Sequence, residues 1–425
     1  MQTKTIQNIS ILLTELQQKL QLDPYNPVIY NQLANLYYKI NQIEQSIYYY
    51  KRAIHIFPNN PEIHFNLANC YVKKNFMLDA ISHYKFCLEL NPNFLIAMQN
   101  LGMLLVEIKN FQEALPYLVK VYTEDLETQK NFVFIEQLAN CYLQSGDIPN
   151  AITTLQHAIN INPTQETAQH NLAILYLRNQ QYNLAIQHFQ ITLQLNPKNQ
   201  TALHMLAALM KDNPQQAPIE YIVDLFDQYA DYYANHVTQK LHYNLPIIFR
   251  NLYAKYANGI TAKNALDLGC GTGLCGIYFR DASINLIGVD ISRKMLLQAK
   301  HHSYDLLIEA NLQKNCIFIN NYFDLIMAAD VLPYFGDLNK IFQQFKLLLK
   351  KNNGFSMLLF NIELNENQNT KDFDLQTSGR YSHNLNYIQE LAKTFDFSII
   401  ENTKQIIRTH NDQPLVSLIF LLKHL

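Results

Sequence analysis

A spacing of 34 residues runs through the first half of this chain and limits what that half can become. Tyr30, Leu33, Ala34, Tyr37, Ser46, Tyr50, Ala53 and Pro58 form one set. Adding 34 gives His64, Leu67, Ala68, Tyr71, Ala80, Tyr84, Cys87 and Pro92. The same step reaches Met98, Leu101, Gly102, Leu105, Ala114, Leu118 and Val121, without the closing proline. A fourth copy, three residues late, holds Ile135, Leu138, Ala139, Tyr142, Ala151, Leu155, Ala158 and Pro163. The fifth holds Gln169, Leu172, Ala173, Tyr176, Ala185, Phe189, Thr192 and Pro197, and a last helix around Leu203, Leu206, Ala207 and Met210 keeps the period. Each copy reads as two helices, with small residues where they approach and a proline that stops the second. Such a pair cannot bury its apolar face alone, so the copies must stack into a solenoid. Ile9 to Leu22 reads as a capping helix at the start of the array.

The pattern resembles the tetratricopeptide repeat, and the resemblance implies a concave surface that binds a protein or peptide. The same stacked shape also serves dimerisation or spacing. Asn31, Asn35, Asn66, Asn69 and Asn100 fall near the expected inner face, where they suit an extended backbone or are simply solvated. Lysine and arginine are sparse on these helices, which argues against a clamp for an acidic peptide terminus. The run Tyr48-Tyr49-Tyr50 is expected to split between core and surface.

A length of 425 residues exceeds one ordinary core. An apolar fraction of 48% with 16% charged residues marks a folded, not a disordered, chain. A net charge of −2 supplies no field that would steer it to nucleic acid or an anionic membrane. Cys70, Cys87, Cys141, Cys270, Cys275 and Cys316 are scattered and read as reduced thiols. No signal-peptide core and no apolar run of membrane-spanning length is visible, so a soluble cytoplasmic protein is expected.

After Met210, the polar stretch Lys211 to Pro218 reads as a linker, which sets a repeat domain at 1–215 and a second domain at 219–425. Helices are expected from Ile219 and again from about Pro246 to Tyr256, covering one edge of that domain. Strand and helix patterns then alternate. Ala265–Leu268, Ile284–Val289, Leu306–Glu309, Phe323–Ala328 and Phe355–Phe360 read as strands, with helices after the first, second and fourth. Ser292 is placed to cap the second of these helices. The expected class is therefore multidomain: an all-α repeat solenoid followed by a doubly wound α/β domain with its ligand site at the strand carboxyl ends.

Four of the chain's 11 glycines, Gly269, Gly271, Gly273 and Gly276, follow the first strand. The spacing Gly271-x-Gly273-x-x-Gly276 formally permits a dinucleotide turn. Asp267 opposes that reading, because a carboxylate beside the turn repels phosphate and suits an ammonium group. A zwitterionic ligand carrying a sulfonium fits better.

Leu266 to Gly273, LDLGCGTG, resembles the first motif of class I S-adenosylmethionine-dependent methyltransferases, and Ile287 to Ser292 resembles the acidic motif that follows. The resemblance implies S-adenosylmethionine as cofactor. Asp267, Gly269, Cys270, Gly271 and Gly273 would face its methionine part, and Asp290 with Ile291 its ribose. Asn311 and Leu312 would face its adenine, with Asn where many relatives carry Asp. Phe226-Asp227, Tyr229-Ala230, His236-Val237, Leu241, Tyr243 and Pro246, with Ala328–Leu338 and Ser378–His383, extend the likeness to bacterial predicted methyltransferases fused to tetratricopeptide repeats.

Methyl transfer is an in-line displacement, so positioning carries most of the catalysis, and a base is needed only for a protonated nucleophile. Asp330, Tyr334 and His383 are the candidates, with His383 alternatively the first residue of a helix near Asn384. Arg380 would bind an acceptor carboxylate or phosphate, or pair with Asp374; Tyr229 and Tyr243 would cover the cofactor or merely pack. Phe360 to Thr377 reads as a long polar acceptor lid or an insertion. No metal site is suggested. The Asp/Asn-Pro-Pro-Tyr pattern of enzymes acting on planar amines is absent, so a protein acceptor recruited by the repeats, or a small molecule, fits better than nucleic acid. The competing reading is an adaptor whose second domain is inactive or senses the cofactor.

Overall fold

The structure is a computed structural model that describes residues 2–230, 233, 238, 241–302, 304–314, 318–351, 355–365, 371–410 and 413–425. His236, Val237, Cys316 and the middle of the polar segment at 366–370 therefore lie outside the described residues. The chain forms two compact units, Met1–His188 and Phe189–Leu425.

In the first unit α1 (Gln2–Leu22) precedes the pairs α2 (Pro27–Lys39) with α3 (Ile43–Ile56) and α4 (Pro61–Lys73) with α5 (Met77–Leu90). Next come α6 (Leu95–Glu107) with α7 (Phe111–Glu124), α8 (Phe132–Gln144) with α9 (Ile148–Ile161), and α10 (Glu166–Arg178) with α11 (Tyr182–Leu195). The unit boundary falls inside α11. Asn26, Asn60 and Asn131 cap first helices of pairs by accepting backbone N–H bonds. Pro27 and Pro61 sit in first turns, where the missing N–H is harmless. The turns inside successive pairs each hold one left-handed residue: Asn41, Asn75, Lys109, Gly146 and Gln180. The three-residue delay before the fourth copy is taken up around the 3₁₀ turn Thr128–Lys130.

The small residues do what the spacing requires. Ala34, Ala68, Gly102, Ala139 and Ala173 are buried. A Cβ on Gly102 would lie 2.6 Å from Leu118 Cδ2, so the third pair needs glycine there. The Ser46 hydroxyl donates to the Ala34 carbonyl at 2.9 Å and ties α3 to α2. Tyr50 is buried, Tyr49 half-buried and Tyr48 exposed, the split expected of that run.

In the second unit α12 (Gln200–Met210) and α13 (Ile219–Tyr229) precede a nine-stranded sheet. Its strands are β1 (Ala262–Leu268), β2 (Ser283–Asp290), β3 (Leu306–Glu309), β4 (Leu325–Ala328), β5 (Met357–Leu364), β6 (Phe373–Leu375), β7 (Tyr381–His383), β8 (Phe397–His410) and β9 (Gln413–His424). β3, β2, β1, β4 and β5 lie side by side in parallel. β9 is antiparallel to β5, and β8 to β9. β7 joins the carboxyl end of β5, and β6 pairs with β7. The central strands are buried on both faces and read as continuous apolar runs, as parallel strands do.

Three expectations are corrected here. The stretch 211–218 is no free linker but is bonded into the second unit. Asn213 donates to the Phe373 carbonyl at 2.6 Å and accepts from Leu375 N at 2.9 Å, while the Gln215 carbonyl accepts from Gly336 N and Asp337 N. Phe360 to Thr377 is not a long lid, because β5 continues to Leu364 and β6 begins at Phe373. His383 does not start a helix; it ends β7, and Asn384 caps the helix Leu385–Thr394.

Candidate functional site

The glycine turn after β1 builds one wall of a pocket at the carboxyl ends of the parallel strands. Gly269, Gly271 and Gly273 all have positive φ, a conformation that side chains resist. A Cβ on Gly269 would run into Val331 Cγ2, whereas one on Gly271 would meet open space. Gly276, the residue that kept a dinucleotide turn open, has another reason to be glycine. The Tyr304 ring lies across it, and a Cβ there would sit 2.5 Å from Tyr304 Cε2. The same ring crowds Gly288, where a Cβ would be 2.9 Å from Tyr304 Cε1. Tyr304 also accepts from Gly276 N at 3.0 Å and donates to Asp267 Oδ2 at 2.6 Å. Nothing local in the sequence flagged Tyr304, because its partners lie on other elements.

Asp267 and Asp290 end adjacent strands and are both buried. Asp290 Oδ2 accepts from Gly271 N at 2.8 Å and Oδ1 from Ser292 N at 2.8 Å. No cation neutralises it among the described ion pairs. Burial pushes its carboxyl up to about 6 against the pull of those N–H groups. Asp267 is raised further, to about 7, by burial and the nearby Asp290, with the Tyr304 bond opposing. Its Oδ1 is buried without a partner among the described residues. Ser292 caps its helix as expected, accepting from Met295 N at 3.1 Å, and donates to Asp227 Oδ1 at 2.6 Å.

Gly269, Gly271, Asp290, Ile291, Asn311, Leu312, Asp330 and Tyr334 all line this one pocket. Asn311 Oδ1 accepts from Gln313 N at 2.8 Å, which fixes the loop after β3. Cys270 and Cys275 are buried thiols held neutral by burial. The sequence reading missed Ile222, Phe226, Tyr233, Met295, Gln313, Val331 and Phe335, which also line the pocket. Phe226 stood in a recognised segment, but its T-shaped contact with Tyr334, centroids 5.3 Å apart, depends on how α13 packs.

Asp330 does not stand free as a base. Burial alone would raise its carboxyl, yet Arg380 and Arg408 more than offset that and hold it at about 2. Arg380 Nη2 donates to Oδ1 at 2.5 Å and Arg408 Nη1 to Oδ2 at 2.9 Å. Arg380 Nε pairs with Glu363 at 2.5 Å, so the expected partner Asp374 is replaced; Asp374 accepts from Asn365 instead. Asp330 has φ +61 and is fixed from behind by Asn361 Oδ1, which accepts its N–H at 2.7 Å. Tyr334 accepts from Arg380 Nη1 at 3.1 Å, and burial raises its phenol despite that cation. His383 is buried away from the pocket lining. Its Nε2 donates to the carbonyls of Phe335 and Gly336, and burial lowers it to about 4. Its position braces the Tyr334 turn. Tyr243 packs against the core of the second unit, near enough to Asp330, Tyr233 and Arg408 for them to act on its phenol, and Tyr229 is half-buried on α13. Among the described residues there is no metal-ligand cluster and no helix long and apolar enough to cross a membrane.

In the first unit four of the five inner asparagines, Asn35, Asn66, Asn69 and Asn100, bond to one another or to tyrosines, while Asn31 Oδ1 is buried with no partner among the described residues. Asn69 Oδ1 accepts from the Tyr84 hydroxyl at 2.5 Å and from Asn100 Nδ2 at 3.0 Å. Asn35 Oδ1 likewise accepts from Tyr50 and Asn66. Asn69, Asn100, Tyr84, Lys73 and Gln137 line a groove on the array.

A family model for a methyltransferase domain matches residues 261–407, and one for the tetratricopeptide repeat matches 34–75 and 139–180. The chain is similar to a ubiquinone biosynthesis O-methyltransferase of Glaesserella parasuis serovar 5 (strain SH0165). The two are 29% identical over 103 residues, which are 22% of this chain and 44% of that protein. It is also similar to the biotin biosynthesis bifunctional protein BioHC of Saccharophagus degradans, 28% identical over 159 residues, 34% of this chain and 28% of that one. The chain thus spans less than half of either relative. Among solved structures it is similar to YrrB, described as a TPR protein with an unusual peptide-binding site. That likeness has 19% identity and a TM-score of 0.41 and covers 44% of this chain and 96% of that one.

Proposed function

We propose that this chain, which joins a methyltransferase domain to tetratricopeptide repeats, is a cytoplasmic S-adenosylmethionine-dependent methyltransferase whose repeat array holds a protein or peptide that brings or is the acceptor. One observation carries the reading. The turn at Gly269–Gly273 and the carboxylate of Asp290 meet in one pocket with the aromatic wall of Phe226, Tyr233 and Tyr334. The residues fit the cofactor. Asp290 is a buried anion with no counter-ion among the described residues and retains lone pairs for two ribose hydroxyls. Asp267, beside the turn, has an oxygen with no partner among the described residues, which an ammonium would satisfy. Ile291, Leu312 and Met295 supply apolar surface for adenine, and Asn311 and Gln313 polar atoms at its edge.

The bound cofactor supplies an activated methyl group on a sulfonium. The chain's part is to orient it, exclude water and seat the nucleophile. Phe226, Tyr233 and Tyr334 line the pocket with aromatic rings, which suit a cation in a water-poor site. Asp330 stays ionised and keeps Arg380 and Arg408 in place, so it acts as an anchor and not as a proton acceptor. The adaptor reading is favoured by no observation in the site.

The test is calorimetric titration of the full chain with S-adenosylmethionine and S-adenosylhomocysteine, with Asp290→Ala as control. Binding of both ligands that the substitution abolishes is expected. A folded protein that binds neither sinks the enzyme reading and leaves the adaptor.

A further inference from the structure

We propose that Asp227 is a positioning residue of the cofactor site: through Ser292 it latches the end of α13 across the pocket and sets how fast the cofactor enters and its product leaves. The proposal rests on the methyltransferase reading above.

α13 spans the pocket from one set of loops to another. Ile222 and Phe226, four residues apart on one face of the helix, both line the pocket. Just before the helix, Ala217 N donates to the Tyr334 carbonyl at 3.3 Å, and the Ala217 carbonyl accepts from Gln313 Nε2 at 3.0 Å. Those partners lie on the loops after β4 and β3. At the other end Asp227 Oδ1 accepts from the Ser292 hydroxyl at 2.6 Å, and Ser292 lies just after β2. The helix therefore crosses the carboxyl ends of the strands, where a ligand sits in such a sheet.

Its two halves are not held alike. Tyr221 and Ile222 are the buried residues of the helix, and both lie in its first half. Val223 to Tyr229 are half-buried or exposed. That half opens at lower cost than the first, and a hydrogen bond to a carboxylate supplies much of its hold. Opening it swings Phe226 away from Tyr334, whose ring centroid is 5.3 Å distant, and uncovers the pocket.

Ser292 carries the latch without disturbing the ribose site. Its oxygen accepts from Met295 N at 3.1 Å as a helix cap, which leaves the hydroxyl proton for Asp227. Its backbone N–H goes to Asp290 Oδ1 at 2.8 Å. The latch thus uses none of the lone pairs that Asp290 offers to the ribose, and it forms equally with and without cofactor. A latch of that kind slows entry and exit by the same factor and leaves the affinity unchanged.

The test measures rates. Surface plasmon resonance of S-adenosylhomocysteine over the immobilised full chain gives kon and koff. Asp227→Ala should raise both about tenfold or more, as loss of one hydrogen bond to a charged acceptor does, and leave Kd within about twofold. Asp227→Asn keeps an oxygen for the Ser292 hydroxyl and should restore most of the slow exchange. Ser292→Gly removes the hydroxyl at small cost to the cap, and in that background Asp227→Ala should change neither rate further. A rise in koff alone overturns the proposal, because Asp227 then shapes the site or touches the ligand. Rates that stay at the wild-type values, or effects of the two substitutions that add, overturn it too. A wild type that binds no S-adenosylhomocysteine overturns the methyltransferase reading, and this proposal with it.

Discussion

Replacing Asp267 by Asn should remove most of a proton from the cofactor-binding equilibrium. Burial holds the Asp267 carboxyl at about 7, so at pH 6.5 about three-quarters of the unliganded protein carries a proton there. An ammonium beside the carboxylate lowers its pKa by about 2 and leaves almost none bound. Ligand binding at pH 6.5 should therefore release about 0.7 proton through this group. The sign follows from the raised pKa. Deprotonation opposes binding below about 7, so affinity rises with pH up to that value and then levels. Asp290, raised to about 6, adds a smaller release that the variant retains. The assay is calorimetric titration with S-adenosylhomocysteine in phosphate and in Tris, whose different ionisation enthalpies count the protons. The difference between wild type and Asp267→Asn cancels any titration of the ligand. It should be about 0.7 at pH 6.5 and near zero at pH 8.5. A difference near zero at both, or one that grows with pH, would refute the assignment of Asp267 to the ammonium.

Asp330→Asn takes the paired carboxylate from the buried Arg408 and leaves Arg380 with Glu363 alone, and should destabilise the second unit by about 3–5 kcal/mol at neutral pH, read from its urea midpoint. Because the Asp330 carboxyl is depressed to about 2, its contribution is complete above the ordinary value of 3.8 and vanishes as pH falls through 2. Wild type and variant should converge in acid. Asn213→Ala loses the two bonds to the β6 backbone and should cost about 1–3 kcal/mol by the same assay. If 211–218 acts only as a linker, that midpoint will not move.

Elements whose pattern is local were legible in the sequence. The repeats announce themselves because each copy uses the same packing positions, and the turn after β1 does so because glycine is rare elsewhere. Ser292 and Asp290 are a cap and a strand end, both short-range features. What stayed hidden depends on pairing between distant segments. Arg408 lies 78 residues beyond Asp330, on a hairpin that the sequence reading did not find, because β8 mixes exposed and half-buried residues along most of its length. The character of Asp330 followed that omission. An aspartate after the fourth strand reads as a base until its two cations are placed beside it. Lys211 to Pro218 has the composition of a tether, and hydrogen bonds from the other end of the domain make it a fixed strap.

One aromatic ring leaves its imprint on a position far from its own. Gly276 lacks a side chain because the ring of Tyr304 occupies the space, and its hydroxyl meets Asp267. The two residues therefore form a unit of inheritance. A lineage that trades Tyr304 for a smaller residue frees Gly276 to drift and at the same stroke loses the hydroxyl on Asp267. Gly288 stays glycine in either case, because Leu307 Cδ2 and Cys270 Sγ crowd it as closely as the ring does. Relatives should accordingly fall into two groups, those that keep tyrosine with Gly276 and those that have let both go.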